Sequence, residues 1–148
     1  MKTSDYQQSL SINSADKEIF ESLTSRIPEW WTEKFEGSAK KVSEKFTVHF
    51  GGTLKTMLIE EAAPNKKVVW RCIDAYIDVN EFENKKEWIG TKIIWEIVPD
   101  SPNTKLNLTH EGLTSDFECY SVCIKGWDFF LQSLFELLVN GKGMPNKN

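Results

Sequence analysis

The chain has 148 residues, 40% hydrophobic and 12% aromatic, and its 18 Lys+Arg against 22 Asp+Glu give a net charge of −4. That length fits one domain, residues 1–148, which buries roughly 70% of the surface its unfolded chain exposes and needs no disulfide or metal staple. The acidic balance argues against a nucleic-acid partner, which needs a basic face, and no apolar run reaches the roughly 18 residues of a membrane span.

Met1-Lys2-Thr3-Ser4-Asp5 opens on polar sequence without an apolar segment, so no export signal is expected. The three cysteines then read as reduced thiols in the cytoplasm. Tyr6, Gln8, Leu10 and Ile12 alternate with polar residues, the period of a half-buried strand. Ser14 stands where a helix N-cap belongs, with Asp16 and Glu18 in the first turn to meet the helix dipole. Ala15, Ile19 and Leu23 share a face, and the helix stops before Pro28. Pro28 is expected to open a second short helix carrying Trp30 and Trp31.

A β region follows. Phe46, Val48 and Phe50 alternate with Thr47 and His49, and Gly51-Gly52 is a two-residue hairpin signal. Pairing Phe50 with Thr53 puts Lys55 and Met57 on the face of Phe46 and turns Leu54 and Leu58 away. Either a bulge resets that register or both faces are partly covered. Lys67–Asp74 reads as a strand with Val68, Trp70 and Cys72 on one side, and 78–86 as a polar loop. Trp88–Pro99 is the strongest strand, with Ile89, Thr91, Ile93, Trp95 and Ile97 on one face. Thr104–Gly112 is the last, with Leu106, Leu108 and His110 facing one way. From about Glu118 to Val139 the period becomes helical, with a stripe of Tyr120, Cys123, Trp127, Phe130, Leu134 and Leu138 and a stop at Gly141. Such a rod is roughly 30 Å long, enough to cross a domain. Sequential hairpins and one long helix imply an α+β layout: a curved antiparallel sheet wrapped around the helix, with room for a cavity between them.

Several motifs occur in a fixed order: Ile27-Pro28-Glu29-Trp30-Trp31, Phe50-Gly51-Gly52, Val68-Val69-Trp70, Trp88-Ile89-Gly90-Thr91, Thr109-His110-Glu111-Gly112-Leu113, and Gly126-Trp127 with Leu131, Leu134 and Gly141. Together, from about Ser9 to Pro145, they resemble the START-like (SRPBCC, helix-grip) superfamily. Within it they resemble the family related to the C-terminal domain of the ATPase activator of the ninety-kilodalton heat-shock chaperone. The resemblance implies a single helix-grip domain of order β-α-α-β6-α. It implies a cavity for lipids, polyketides or other apolar molecules, and some members are cyclases or other enzymes. It also implies a heat-shock chaperone as partner, because the matching domain of the eukaryotic activator contacts one. The family shares no catalytic set to carry over, so no catalytic residue is assigned.

The chemistry visible in the residues is sparse. His110, on an apolar strand face, is either a core histidine held by hydrogen bonds or a cavity acid/base. Cys119 and Cys123 lack the spacing of a metal motif, and Cys123 lies on the apolar stripe of the helix, so neither metal nor cofactor is expected. Gly126 inside the helix costs about 1 kcal/mol relative to Ala, which a close helix–sheet approach or a bend over a cavity would explain. No hydrolase triad order, phosphate loop or dinucleotide fingerprint is present. The candidate ligand-lining residues are Trp31, Phe46, Trp70, Trp95, His110, Cys123, Trp127 and Phe130, from the sheet's aromatic face and the helix stripe opposite. Three functions follow: a binding protein for a small hydrophobic or amphipathic ligand, a chaperone regulator, or a cavity enzyme using His110.

Overall fold

The hairpin signals and the final apolar stripe resolve into one sheet closed over one helix. The computed structural model describes residues 4–148; Met1–Thr3, part of the stretch read above for an export signal, lie outside the described residues. The order is β1 (Tyr6–Ile12), α1 (Asp16–Thr24), a single 3-10 turn (Ile27–Glu29), β2 (Phe35–Gly37), β3 (Lys45–Phe50), β4 (Thr53–Ala63), β5 (Lys67–Tyr76), β6 (Lys92–Asp100), β7 (Asn103–Glu111) and α2 (Tyr120–Asn140). The sheet is antiparallel throughout, in the order β1-β7-β6-β5-β4-β3-β2, so only β1 pairs with a strand that is not next to it in sequence. This is the α+β helix-grip arrangement, with α2 in the grip.

Alternation explains the strands. In β7, Thr104, Leu106, Leu108 and His110 are buried while Lys105 and Glu111 are exposed. In β6, Ile93, Trp95 and Ile97 are buried and Glu96 is exposed. α2 buries Cys123, Trp127, Leu131, Leu134 and Leu137 and ends at Gly141, whose φ of +85° lets its N–H reach back to the Leu137 carbonyl. Tyr6 Oη donates to Asp128 Oδ1 at 2.6 Å, tying β1 to α2. Burial and the adjacent Asp128 both push the Tyr6 pKa upward.

Three local expectations are corrected and one strand is added. The N-cap of α1 is Ala15, not Ser14; the Ser14 carbonyl instead accepts from Thr104 Oγ1 at 2.8 Å, which places Ser14 outside the helix. The second helix is only the 3-10 turn around Pro28; Trp30 closes it, and its indole donates to the Ser22 carbonyl at 2.7 Å. Phe35–Gly37 forms an additional short strand on β3 that polar flanks concealed. Trp88 and Ile89 belong to a turn before β6, because Gly90 at φ +91° reverses the chain and Thr91 N–H bonds to the Trp88 carbonyl. The turn buries Trp88 and leaves Ile89 44% exposed, the reverse of a continuous strand.

Among the described residues no helix is long and apolar enough to cross a membrane, and no trio of metal-ligating side chains is gathered.

Candidate ligand-binding site

All six tryptophans join one aromatic seam. Trp31 stacks on Trp30, Trp70 and Trp127 with ring centroids 5.8, 5.6 and 5.5 Å apart, and Trp88 stacks on Trp127 at 6.1 Å. Trp95 meets Trp30, Trp70 and Trp127 edge-on at 5.4–5.9 Å. The seam fills the middle of the grip. It stops short at the end where the β3–β4 hairpin, the segment 77–91 and the first half of α2 converge, and there a cavity of about 200 Å³ opens to solvent.

The hairpin contributes Phe50, Thr53 and Lys55 to the lining, and the segment after β5 contributes Ile77, Val79 and Trp88. Helix α2 contributes Val122, Cys123, Gly126, Trp127 and Phe130, and Trp31 completes the floor. The segment 77–91 is fastened to the helix. Glu87 accepts from the backbone N–H groups of Glu118 and Cys119 at 3.0 and 3.2 Å, the position where a helix start welcomes an anion. The Glu118 carboxylate in turn accepts from the N–H groups of Glu83 and Asn84. These backbone donors hold the Glu118 pKa down.

Four of the eight residues selected from sequence line this cavity: Trp31, Cys123, Trp127 and Phe130. Phe46, Trp70 and Trp95 are fully buried in the seam behind the floor, and the Trp70 and Trp95 indole N–H groups find no oxygen, nitrogen or sulfur partner among the described residues. His110 is buried beneath Trp88 and Trp127. Its Nδ1 accepts from Trp127 Nε1 at 3.0 Å, and its Nε2 lies 2.9 Å from Thr91 Oγ1. Thr91 Oγ1 already donates to the Trp88 carbonyl at 2.7 Å, so the ring carries its proton on Nε2 and gives it to Thr91. Both nitrogens are thus engaged. Burial, reinforced by the Lys55 charge, pushes the His110 pKa down to about 3. The ring is neutral at physiological pH, with no nitrogen left for a group in the cavity.

Sequence reasoning missed the other eight lining residues, Lys55, Trp88 and Gly126 among them. Lys55 follows from the hairpin: Phe50 pairs with Thr53 and Val48 with Lys55, so Lys55 shares the inner face with Phe46 and Met57. Both bulges lie further along, in the β4–β5 pairing at Thr56/Met57 and Ile59/Glu61, and neither turns Lys55 outward. Its Nζ sits 3.6 Å from the Trp88 ring centroid and 5.2 Å from that of Phe50. Burial lowers the Lys55 pKa. Gly126 does not answer a close helix–sheet approach: a Cβ there would meet no atom outside its own helix within 4 Å. Trp88 Nε1 donates to Cys123 Sγ at 3.2 Å, and Cys123 and Cys119 are hydrogen-bonded to each other. That contact holds the Cys123 pKa below, and the Cys119 pKa above, the ordinary thiol range. Burial pushes the Cys72 thiol up to about 12.

No protein-family model and no curated protein sequence matches the chain. Solved structures do. The Aha1 dimer from Colwellia psychrerythraea is 26% identical, with a TM-score of 0.77 over 94% of this chain and 98% of that one. DynU16, a protein of the dynemicin biosynthetic locus, matches at 16% identity and TM-score 0.75, over 99% of this chain and 52% of that one. MLL2253 from Mesorhizobium loti matches at 18% identity and TM-score 0.70, over 90% and 96%. The last two share the fold alone. The chain therefore has the START-like, helix-grip fold and is similar over nearly its whole length to the Aha1 protein from Colwellia psychrerythraea.

Proposed function

We propose that the chain is a cytoplasmic binding protein for a small hydrophobic or amphipathic ligand held between the sheet and α2. One observation carries this reading: a cavity of about 200 Å³ remains beside a seam of six indoles and is walled almost wholly by apolar side chains. A dry engineered cavity of about 150 Å³ already takes up benzene, so a space of this size suits a guest built on one ring or a short alkyl chain. Three buried, unbridged cysteines support a reducing compartment. Native mass spectrometry of protein purified from cells, followed by thermal-shift measurements across short fatty acids, alcohols and aromatic compounds, tests the reading. Retention of a guest, or a rise in melting temperature that saturates with concentration, is expected. If no apolar compound is retained or shifts melting, the reading fails.

A second reading is regulation of a heat-shock chaperone, supported by the likeness to the Colwellia Aha1 protein over almost the full length of both chains. It requires the chaperone's ATPase rate to change on addition of this protein. A rate that stays constant to saturation removes it.

A further inference from the structure

We propose that the natural guest of this cavity is a monocarboxylic acid, its carboxylate held by Lys55 and Thr53 and its apolar body lying against Trp31, Trp88 and Trp127. The inference rests on the ligand-binding reading above and adds the chemical class of the ligand.

Lys55 is the only Lys, Arg, Asp or Glu in the lining. Among the described residues it makes no ion pair and its ammonium finds no hydrogen-bond acceptor, whereas Lys67 and Lys92 on the outer face meet Glu61 and Glu60 at 3.8 and 3.2 Å. Its contacts are ring faces, Trp88 closely and Phe50 more distantly. A ring face receives at most one of the three ammonium N–H groups, which leaves two donors to the open space. Across the sheet its neighbours are Val48 and Ala75, so no acceptor stands beside it on either strand. If this position only filled space, a methionine or leucine would do so without desolvating a charge. A cation kept at this depth is useful when a guest brings the opposite charge.

Thr53 supplies a second donor. It lines the cavity two residues before Lys55 on the same strand face. Its Oγ1 accepts from the Asp78 N–H at 2.9 Å, and its own hydroxyl hydrogen has no acceptor among the described residues. An ammonium and a hydroxyl on one strand face of the same cavity suit the two oxygens of a carboxylate. A phosphate or sulfate has more oxygens and a stronger hydration shell than this lining can replace, because every other wall is apolar or a thiol.

The experiment compares matched ligands that differ only in the head: phenylpropionate, phenylpropanol and phenylpropylamine, with octanoate, octanol and octylamine as a second body. Binding is read by calorimetry and tryptophan fluorescence on the wild-type chain and on Lys55→Met. The acid should bind the wild type about 10- to 100-fold more tightly than the alcohol, the range of a charge-assisted hydrogen bond, and the amine most weakly. Lys55→Met should erase the acid's advantage over the alcohol. Lys55→Gln makes the same comparison if the methionine variant does not fold. Equal binding of acid and alcohol to the wild type, or an acid preference that survives loss of the ammonium, overturns the carboxylate assignment and leaves the apolar cavity standing. If none of the six compounds binds the folded wild type, both readings fall together.

Discussion

Gly126 offers the sharpest separation of fold from function. A glycine within a helix is about 1 kcal/mol less favourable than alanine, and the space around this one is empty out to 4 Å from a built Cβ. Gly126→Ala should therefore recover that difference in full, with nothing to push aside. For a chain of this size the melting temperature should rise by roughly 2–4 °C. Gly126→Leu sends four carbons toward a cavity of about 200 Å³. It should be at least as stable as the alanine variant, since it buries apolar surface, yet it should weaken binding of phenylpropanol by about tenfold or more, because a ring-sized guest alone takes a cavity of about 150 Å³. Scanning fluorimetry gives the stabilities, and tryptophan fluorescence gives the affinities. A fall in melting temperature for Gly126→Ala would show that the glycine answers a steric need instead. Undiminished binding to Gly126→Leu would show that guests sit elsewhere.

Three further outcomes follow from the polar chain under the cavity floor and the thiols beside it. Thr91→Val keeps the side-chain shape but orphans the His110 Nε2–H and leaves the Trp88 carbonyl only the backbone N–H of residue 91; urea unfolding should show a loss of about 1–3 kcal/mol, and a neutral result would refute the buried His110–Thr91 hydrogen bond. The folded His110 pKa, about 3, lies below its ordinary 6.5. The unfolded chain thus takes up the proton first, and stability present above pH 6.5 is lost as pH falls toward 3. Between 6.5 and about 5, His110→Asn should flatten the slope by up to about 1.4 kcal/mol per pH unit, and an unchanged slope would mean that the ring protonates in the folded state. Cys123 borders the cavity with a lowered pKa, whereas Cys119 and Cys72 are buried with raised values. Mass-mapped alkylation should therefore mark Cys123 first, and phenylpropanol should protect it; preferential labelling of Cys72 would contradict that order.

The fold was legible because its signals are periodic. Alternation in Thr104–His110 and the apolar stripe of α2 each identify a face, and a face is what a sheet-on-helix grip needs. Depth along the face is a different quantity. Trp95 and Phe130 both point inward, but Trp95 lies mid-seam and Phe130 at the open end, a distinction set by where 77–91 crosses back. Lys55 shows the opposite case. Hairpin arithmetic placed it inside, but the same register turns the apolar Leu54 and Leu58 away, which left a resetting bulge or two partly covered faces as alternatives. Trp88 was hidden for a third reason: Gly90 at positive φ interrupts an otherwise unbroken strand pattern, and nothing in the alternation records a reversal of one residue.

Why the space stays open follows from the shapes that border it. Trp31, Trp88 and Trp127 are stacked within 20° of parallel, Trp31 on Trp127 at 17° and Trp88 on Trp127 at 15°. Indoles in such a stack are flat and have few rotamers, so they cannot fold into a gap as a methionine would. Trp88 is further held by its N–H on Cys123 and its carbonyl under Thr91, and Trp127 by its N–H on His110. On the helix, where a side chain could fill the volume, the chain has Gly126. Interiors otherwise close to crystal-like density, so a gap that survives between rigid rings and a glycine is already formed before a guest arrives. Binding then needs little rearrangement of the seam, and the adjustable part is the Lys55 side chain, which only ring faces contact.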